Sequence, residues 1–208
     1  MSLSLYGIIK TKDMKNVITI LILAISFVSF GQTFTSKDSA MIAEINVLRA
    51  NPASYIPKVE KYIKVCEMKQ AKANNGNLVT TTDYSKHIEA AKELIAELES
   101  ISSLPLLIPN VDMFTVTEAH AEYLSSIGKV SHTDANGNTA TERMSGVNVK
   151  NVTENIVTDN GIITSAILVL LVDGDIDGRG HRKNLLDPNA KFISVHTTGD
   201  YWVMNFAN

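Results

Sequence analysis

Three short segments carry the side chains best suited to chemistry. They are residues 131–134 (Ser-His-Thr-Asp), 153–156 (Thr-Glu-Asn-Ile) and 180–184 (Gly-His-Arg-Lys-Asn). Each segment supplies an imidazole or a carboxylate. Two neutral imidazoles and a carboxylate suit zinc and other first-row divalent cations. A cation with only three protein ligands keeps a position for water, which the cation can activate for hydrolysis.

His132, Glu154 and His181 are the groups in these segments that can hold a cation or move a proton. The alternative for both histidines is a structural role, in which the rings fix loops by hydrogen bonds. His120 lies in an apolar helical pattern and is expected to border the same cleft. The other two histidines of the chain are not expected to take part.

Residues 173–178 (Asp-Gly-Asp-Ile-Asp-Gly) fit the first half of a calcium-binding loop. Asn184 stands at the twelfth position, where such a loop needs a bidentate glutamate. Calcium therefore ranks below zinc as the expected cation. The favoured interpretation of 173–178 is an acidic, glycine-containing turn that leads to His181.

Composition and motifs exclude several other functions. Cys66 is the only cysteine, so the chain forms no internal disulfide and no thiolate-rich zinc site. The sequence contains neither a Gly-x-Ser-x-Gly elbow nor a His-Glu-x-x-His helix. The net charge is −3, and it becomes −5 without residues 1–31, which hold three lysines and one aspartate. A mildly acidic body offers no electrostatic footprint for nucleic acid.

The N-terminus has the pattern of a cleavable export signal. Lys15 precedes an apolar run over residues 17–30, and small residues before Gln32 fit cleavage after Gly31. The run has 14 residues, whereas a membrane-spanning helix needs about 20. An uncleaved N-terminal anchor is the alternative. Met14 is the expected start, which makes 1–13 an upstream extension, and the protein is expected to be secreted, periplasmic or in the cell envelope.

Residues 32–208 are predicted to form a single domain. Apolar residues at helical spacing predict helices over 39–50, 52–66, 84–98, 111–127 and 164–172. Polar loops are predicted over 69–82 and 134–141, an extended connector over 104–109, and one helical turn over 141–144. Alternating patterns predict strands over 153–158, 192–198 and 201–206, and Gly199-Asp200 makes the last two a hairpin.

The ordered set of motifs resembles the CAP superfamily, also called the SCP or pathogenesis-related-1 family, in its bacterial secreted form. The resemblance covers about residues 40–208, with 56–105 as a helical insert. The last two predicted strands close the pattern. The matching segments are 45–49 (Ile-Asn-Val-Leu-Arg), 119–124 (Ala-His-Ala-Glu-Tyr-Leu), 131–134, 137–143, 154–156 and 180–186 (Gly-His-Arg-Lys-Asn-Leu-Leu).

The resemblance implies an α-β-α sandwich, an α+β fold with helices on both faces of a small antiparallel sheet. It also implies a surface cleft in which two histidines and two acidic residues meet. His132, Glu154 and His181 match the family pattern. Asp173 is the nearest candidate for the second acidic residue, with Asp177 in reserve, because the family's tryptophan and glutamate are missing there.

His120, Asn155, Arg182 and Asp177 are expected to surround and support the cleft. The resemblance favours a binding or interaction module over an enzyme, with a lipid, a sterol or a cell-wall component as partner. Two alternatives stay open. One is a metal-dependent hydrolase that acts on peptide or cell-wall material, with an acidic residue as general base. The other is a lipid or sterol carrier.

Overall fold

The computed structural model describes residues 34–158 and 161–208. The predicted export signal lies outside the described residues. Within them, the helices are α1 (Ser36–Ala50), a 3-10 turn (Pro52–Tyr55), α2 (Ile56–Asn74), α3 (Tyr84–Ser100), α4 (Val111–Ile127), α5 (Ala140–Arg143), α6 (Ile163–Val172) and α7 (Gly180–Leu186). The strands are β1 (Ile108–Pro109), β2 (Thr153–Thr158), β3 (Phe192–Thr198) and β4 (Tyr201–Ala207). In this part of the chain, no helix is both long and apolar enough to cross a membrane.

The strands form a sheet in the order β1-β3-β4-β2 within the described residues. The predicted hairpin is confirmed, since β3 and β4 pair antiparallel around Gly199, which has a left-handed φ of 55°. β2 pairs antiparallel with the other side of β4. The expectation of a purely antiparallel sheet is wrong at one edge, because the predicted connector ends in β1, which pairs parallel with β3.

Helices cover both faces of this sheet, as an α-β-α arrangement requires. Successive side chains of a strand point to opposite faces, and β4 follows this rule. Val203 packs in a cluster with Leu124 of α4 on one face. Trp202 and Met204 belong to the large core on the other face, which α1, α3 and α6 help to build.

Each predicted helix is present, but α1 begins at Ser36 rather than at residue 39, and α2 continues beyond its predicted end. Helix α7 was not predicted from the sequence. The predicted loop over 69–82 is wrong for its first part, because α2 continues to Asn74. Lysine, glutamine and alanine dominate residues 69–73, and all three are good helix formers even where no apolar stripe continues. Helices α2 and α3 pack against the core through Val59, Leu94 and Leu98, so the predicted insert is an integral layer of the fold.

Candidate functional site

Glu154 lies at the centre of the first polar cluster. It occupies the edge strand β2, directly opposite Asn205 in the ladder with β4. His132 places Nδ1 3.0 Å from Oε1 of the carboxylate. The Arg143 guanidinium donates to Oε2, and the Asn205 amide donates to the same oxygen at 3.2 Å. Both carboxylate oxygens are therefore occupied.

These contacts fix the charge of Glu154 and the tautomer of His132. Burial opposes ionisation of the carboxyl, but the hydrogen bond from His132 and the charge of Arg143 outweigh it and lower the pKa of Glu154. An ionised carboxylate only accepts, so Nδ1 of His132 carries the proton. In the tautomer that donates through Nδ1, Nε2 is the nitrogen with a lone pair, and the side chain is 57% exposed.

Arg143 is placed by the short helix α5. Thr139 and Glu142 form a capping box, in which each side chain accepts a hydrogen bond from the other residue's backbone N–H. This begins the turn whose last residue is Arg143. Its Nη1 donates to the backbone oxygens of His132 at 3.0 Å and Asn138 at 2.9 Å. Arg143 thus holds both the carboxylate and the backbone of its histidine partner.

His120 of α4 lies behind this cluster. Its Nε2 is 3.0 Å from the Ser131 carbonyl oxygen and 3.9 Å from Oε1 of Glu154. A carbonyl only accepts, so Nε2 is the protonated nitrogen. Burial lowers the pKa of His120 despite the nearby carboxylate, and the ring is neutral. Its Nδ1 is buried and has no hydrogen-bond partner within the described residues.

His181 and Asp173 form a second pair. Asp173 ends α6 in the left-handed region, with φ 51°, and begins the predicted acidic turn. Its Oδ2 accepts from the backbone N–H of His181 at 2.9 Å, and its Oδ1 lies 2.8 Å from Nδ1 of the same ring. The ring is 20% exposed, and the carboxylate is buried. This pair again directs Nδ1 to a carboxylate.

The acidic turn is anchored to α3. Arg179 bonds Glu93 at 3.0 Å and donates to the Asp173 carbonyl oxygen at 2.9 Å. Arg182 is buried and donates to three backbone oxygens, one of which belongs to Ala90 of α3. Arg182 therefore stabilises the packing of α7 against the neighbouring helices and does not line the site.

His87 of α3 completes this anchorage. Its Nδ1 lies 2.7 Å from the Tyr62 hydroxyl, and its Nε2 lies 3.2 Å from Asp175. A Cβ on Gly174 would meet this ring at 2.7 Å, so the turn passes directly over it. Asp177 makes no hydrogen bond or ion pair with either histidine among the described contacts.

Asn155 connects the two pairs. Its side chain points to the opposite face of β2 from Glu154, and its amide donates to the His181 carbonyl oxygen at 3.0 Å. Asn184 donates to Asn155 Oδ1 at 2.8 Å. The His132–Glu154 and His181–Asp173 pairs thus lie on either side of the edge strand, bridged by two amides.

The two carboxylates are directed at their histidines rather than at a common point. Within residues 34–158 and 161–208, no group of three or more His, Cys, Asp or Glu side chains is arranged to hold a metal ion. In the two histidine–carboxylate pairs, the atoms that remain to coordinate a metal ion are Nε2 of His132 and Nε2 of His181. Both Nδ1 atoms face carboxylates. In metal sites, a carboxylate bonded to the far nitrogen of a histidine orients the ring toward the ion.

Sequence reasoning missed Arg143, Asn205 and His87. The capping box around α5 is a local signal that can place Arg143 near His132. Asn205 is found only from the register of β2 and β4. His87 carries no local signal, because its contacts lie 25 and 88 positions away in the chain.

Comparisons with known proteins find likeness only among solved structures. No family model and no curated protein matches the chain. An extracellular SCP-domain protein from Bacillus anthracis is 21% identical, with a TM-score of 0.44, over 60% of this chain and 38% of the other. An outer surface protein from Borrelia burgdorferi is 17% identical, with a TM-score of 0.42, over 63% and 98%. A cysteine-rich secretory protein from Staphylococcus aureus is 16% identical, with a TM-score of 0.39, over 62% and 40%.

This chain spans about two fifths of the length of the first and third of these proteins. With all three TM-scores below 0.5, function has to be inferred from this chain's own geometry.

Proposed function

We propose that the protein is an exported binding module of the CAP/SCP type, and that the surface around the edge strand β2 is its binding surface. One observation carries this proposal: each of two histidines is held through Nδ1 by a buried carboxylate. A ring oriented in this way offers Nε2 in a fixed direction. His132 and His181 are then prearranged contacts for a ligand.

The occupied carboxylates favour binding over hydrolysis. A general base must be within hydrogen-bond reach of the proton it removes. Both oxygens of Glu154 and both oxygens of Asp173 already accept hydrogen bonds from protein groups. A substrate or a water would have to displace these partners before either carboxylate could act.

A divalent cation, with zinc as the first choice, is the ligand that the free atoms suit best. Neutral imidazole nitrogens bind zinc, and a carboxylate on the far nitrogen strengthens the histidine as a ligand. Nε2 of His132 and Nε2 of His181 would hold the ion from either side of the edge strand β2. Glu154 and Asp173 would orient the rings without touching it. Water or groups of a partner molecule would supply the remaining ligands.

A metal-dependent hydrolase is the second candidate, because imidazole–carboxylate pairs also serve as general bases. In that case Nε2 of a histidine, rather than a carboxylate, would take the proton. The test is turnover of a peptide or cell-wall substrate by the pure protein. If the pure protein shows turnover and His132→Ala does not, the protein is a hydrolase and the binding-module proposal is rejected.

The test is a calorimetric titration of the purified protein with zinc, alongside His132→Ala and His181→Ala. Lys129→Ala is the matched control, because Lys129 is exposed and close to His132 in sequence. We expect saturable binding that either histidine substitution weakens and that the control retains. Binding of equal strength in all four proteins would rule out the two histidines as ligands, and absence of binding in the wild type would rule out the cation.

A further inference from the structure

A pocket of about 520 Å³ lies between α4 and the segment 134–143. Its volume is in the usual range for small-molecule sites, about 300–1,000 Å³. His120 and Arg143 belong to both the pocket wall and the Glu154 cluster. His132 and His181 do not line it. The pocket is therefore a neighbour of the proposed cation-binding surface, not a part of it.

One wall of the pocket is a continuous strip of α4. Val116, Ala119, His120 and Tyr123 line it at the spacing i, i+3, i+4 and i+7, which puts them on one face of a helix. The Tyr123 ring lies beside the His120 ring, with centroids 6.1 Å apart. This wall is mostly apolar and belongs to one regular helix.

The opposite wall is rich in hydrogen-bond acceptors. Glu142 and Asp134 line it, and hydrogen bonds from neighbouring groups fix both. Thr139 donates its backbone N–H and hydroxyl to Glu142 and lowers the pKa of that carboxyl. The backbone N–H groups of Asn138 and Asn136 lower the pKa of Asp134 in the same way. Both groups are ionised acceptors near neutral pH, and they are already in position before a ligand arrives.

His120 contributes a buried ring to the helical wall. Its side chain is 0% exposed, and its Nδ1 is buried, so a ligand in the pocket would not reach that nitrogen.

We propose that this pocket binds a saccharide unit. A sugar ring has an apolar C–H face that can pack on Tyr123, and hydroxyl donors around its rim that can meet Glu142 and Asp134. A fatty chain would leave these acceptors without donors, which costs free energy. An anion would meet two carboxylates. The site goes beyond the proposed cation binding and uses neither of its histidines.

The test is an NMR titration of the ¹⁵N-labelled protein with two disaccharides, N,N′-diacetylchitobiose and cellobiose. We expect at least one sugar to cause saturable shifts confined to α4 and residues 134–143. Tyr123→Ala should weaken the affinity for that sugar about tenfold, because the ring face on which the sugar packs is removed. Tyr123→Phe should keep most of the affinity, since the ring face remains.

Tyr84→Ala is the matched control, since Tyr84 lies on α3 and does not line the pocket. It should bind the sugar as the wild type does. The proposal is overturned if neither sugar gives saturable shifts in this region, or if Tyr123→Ala binds as tightly as the control. It is also overturned if putrescine or decanoate shifts these residues while both sugars fail. None of these results depends on zinc, so the outcome is independent of the cation proposal.

Discussion

The two histidine–carboxylate pairs have the same hydrogen-bond pattern, but different parts of the protein hold them. Glu154 is fixed by a charge from Arg143 and by an amide across the sheet from Asn205. Asp173 is fixed by the backbone, because its own residue is left-handed and its carboxylate accepts the N–H of its partner His181.

The difference shows two ways in which the protein fixes the orientation of a histidine ring. In the first pair, electrostatics does the positioning, and the histidine itself lies on an exposed loop. In the second, chain geometry does the positioning, and the turn that carries Asp173 rests on His87 and Glu93 of α3. The first pair should therefore be most sensitive to loss of a charge. The second should be most sensitive to changes in backbone packing.

Arg143→Ala tests the electrostatic pair and should have the largest effect. Arg143 and Glu154 are both buried, and removal of one partner of a buried ion pair costs about 3–5 kcal/mol. Urea unfolding should show this loss. Glu154→Gln in the Arg143→Ala background should recover part of it, because the unpaired charge disappears.

Lys58→Ala is the control for that measurement. Lys58 pairs with Glu44 at 3.1 Å, but the lysine is 37% exposed. Exposed pairs contribute about 1 kcal/mol or less. An Arg143→Ala loss as small as that of Lys58→Ala would show that charge does not hold the first pair together.

Gly174→Ala tests the pair that depends on backbone packing. The added methyl group would lie 2.7 Å from the His87 ring, and a hydrogen bond between Nδ1 and the Tyr62 hydroxyl holds that ring. Overpacking of this kind costs about 1–3 kcal/mol. The measurement is the free energy of unfolding, followed together with the zinc affinity.

A double-mutant cycle that combines Gly174→Ala with His87→Ala is the control for this steric clash. The double variant should lose less stability than the two single variants together, because the small side chain leaves room for the methyl group. Strict additivity of the two losses would mean that the turn does not rest on His87.

Asp173→Asn should have a smaller effect than either change. Asparagine tolerates the left-handed conformation, and one side-chain oxygen can still accept from the His181 backbone. The bond to Nδ1 is lost, for a cost of about 1 kcal/mol. Urea unfolding measures this loss, and Asp173→Ala, which removes both bonds, should cost more. Equal losses in the two variants would contradict the assigned bonds.

Residues within local motifs were predictable from sequence. The β3–β4 hairpin follows from alternation around Gly199-Asp200, and α4 ends at Ile127 as predicted, followed by Gly128 in the left-handed conformation. His132 and Glu154 were singled out from short motifs, and the structure brings them together at 3.0 Å. These features depend on neighbours in the chain, which a single sequence displays directly.

Features that join distant segments were not predictable. His196 carries no local signal, yet it is buried, and its Nδ1 lies 3.3 Å from Asp38 of α1. Strand β1 has two residues and is defined by its partner β3 rather than by its own alternation. In each case the partner is more than 80 positions away, and only the packed layers decide which segments meet.

The smallest expected effect concerns pH and again separates the first pair from the second. The pKa of His120 is lowered from its ordinary value of 6.5, and the pKa of Glu154 is lowered from 4.5. For both groups the unfolded chain binds protons more readily than the folded chain, so stability rises with pH. His120 contributes fully above pH 6.5, and its contribution falls as the pH drops below that value. The contribution of Glu154 is lost in turn below pH 4.5.

His120→Gln should therefore flatten the dependence of stability on pH between 6.5 and 4.5. Glutamine can still donate to the Ser131 carbonyl oxygen but cannot titrate. Urea unfolding at several pH values in that interval measures the slope. The loss below pH 4.5 should remain in this variant, because Glu154 keeps Arg143 and Asn205. An unchanged slope in His120→Gln would mean that another group causes the acid sensitivity, and the first pair would then depend on charge only through Glu154 and Arg143.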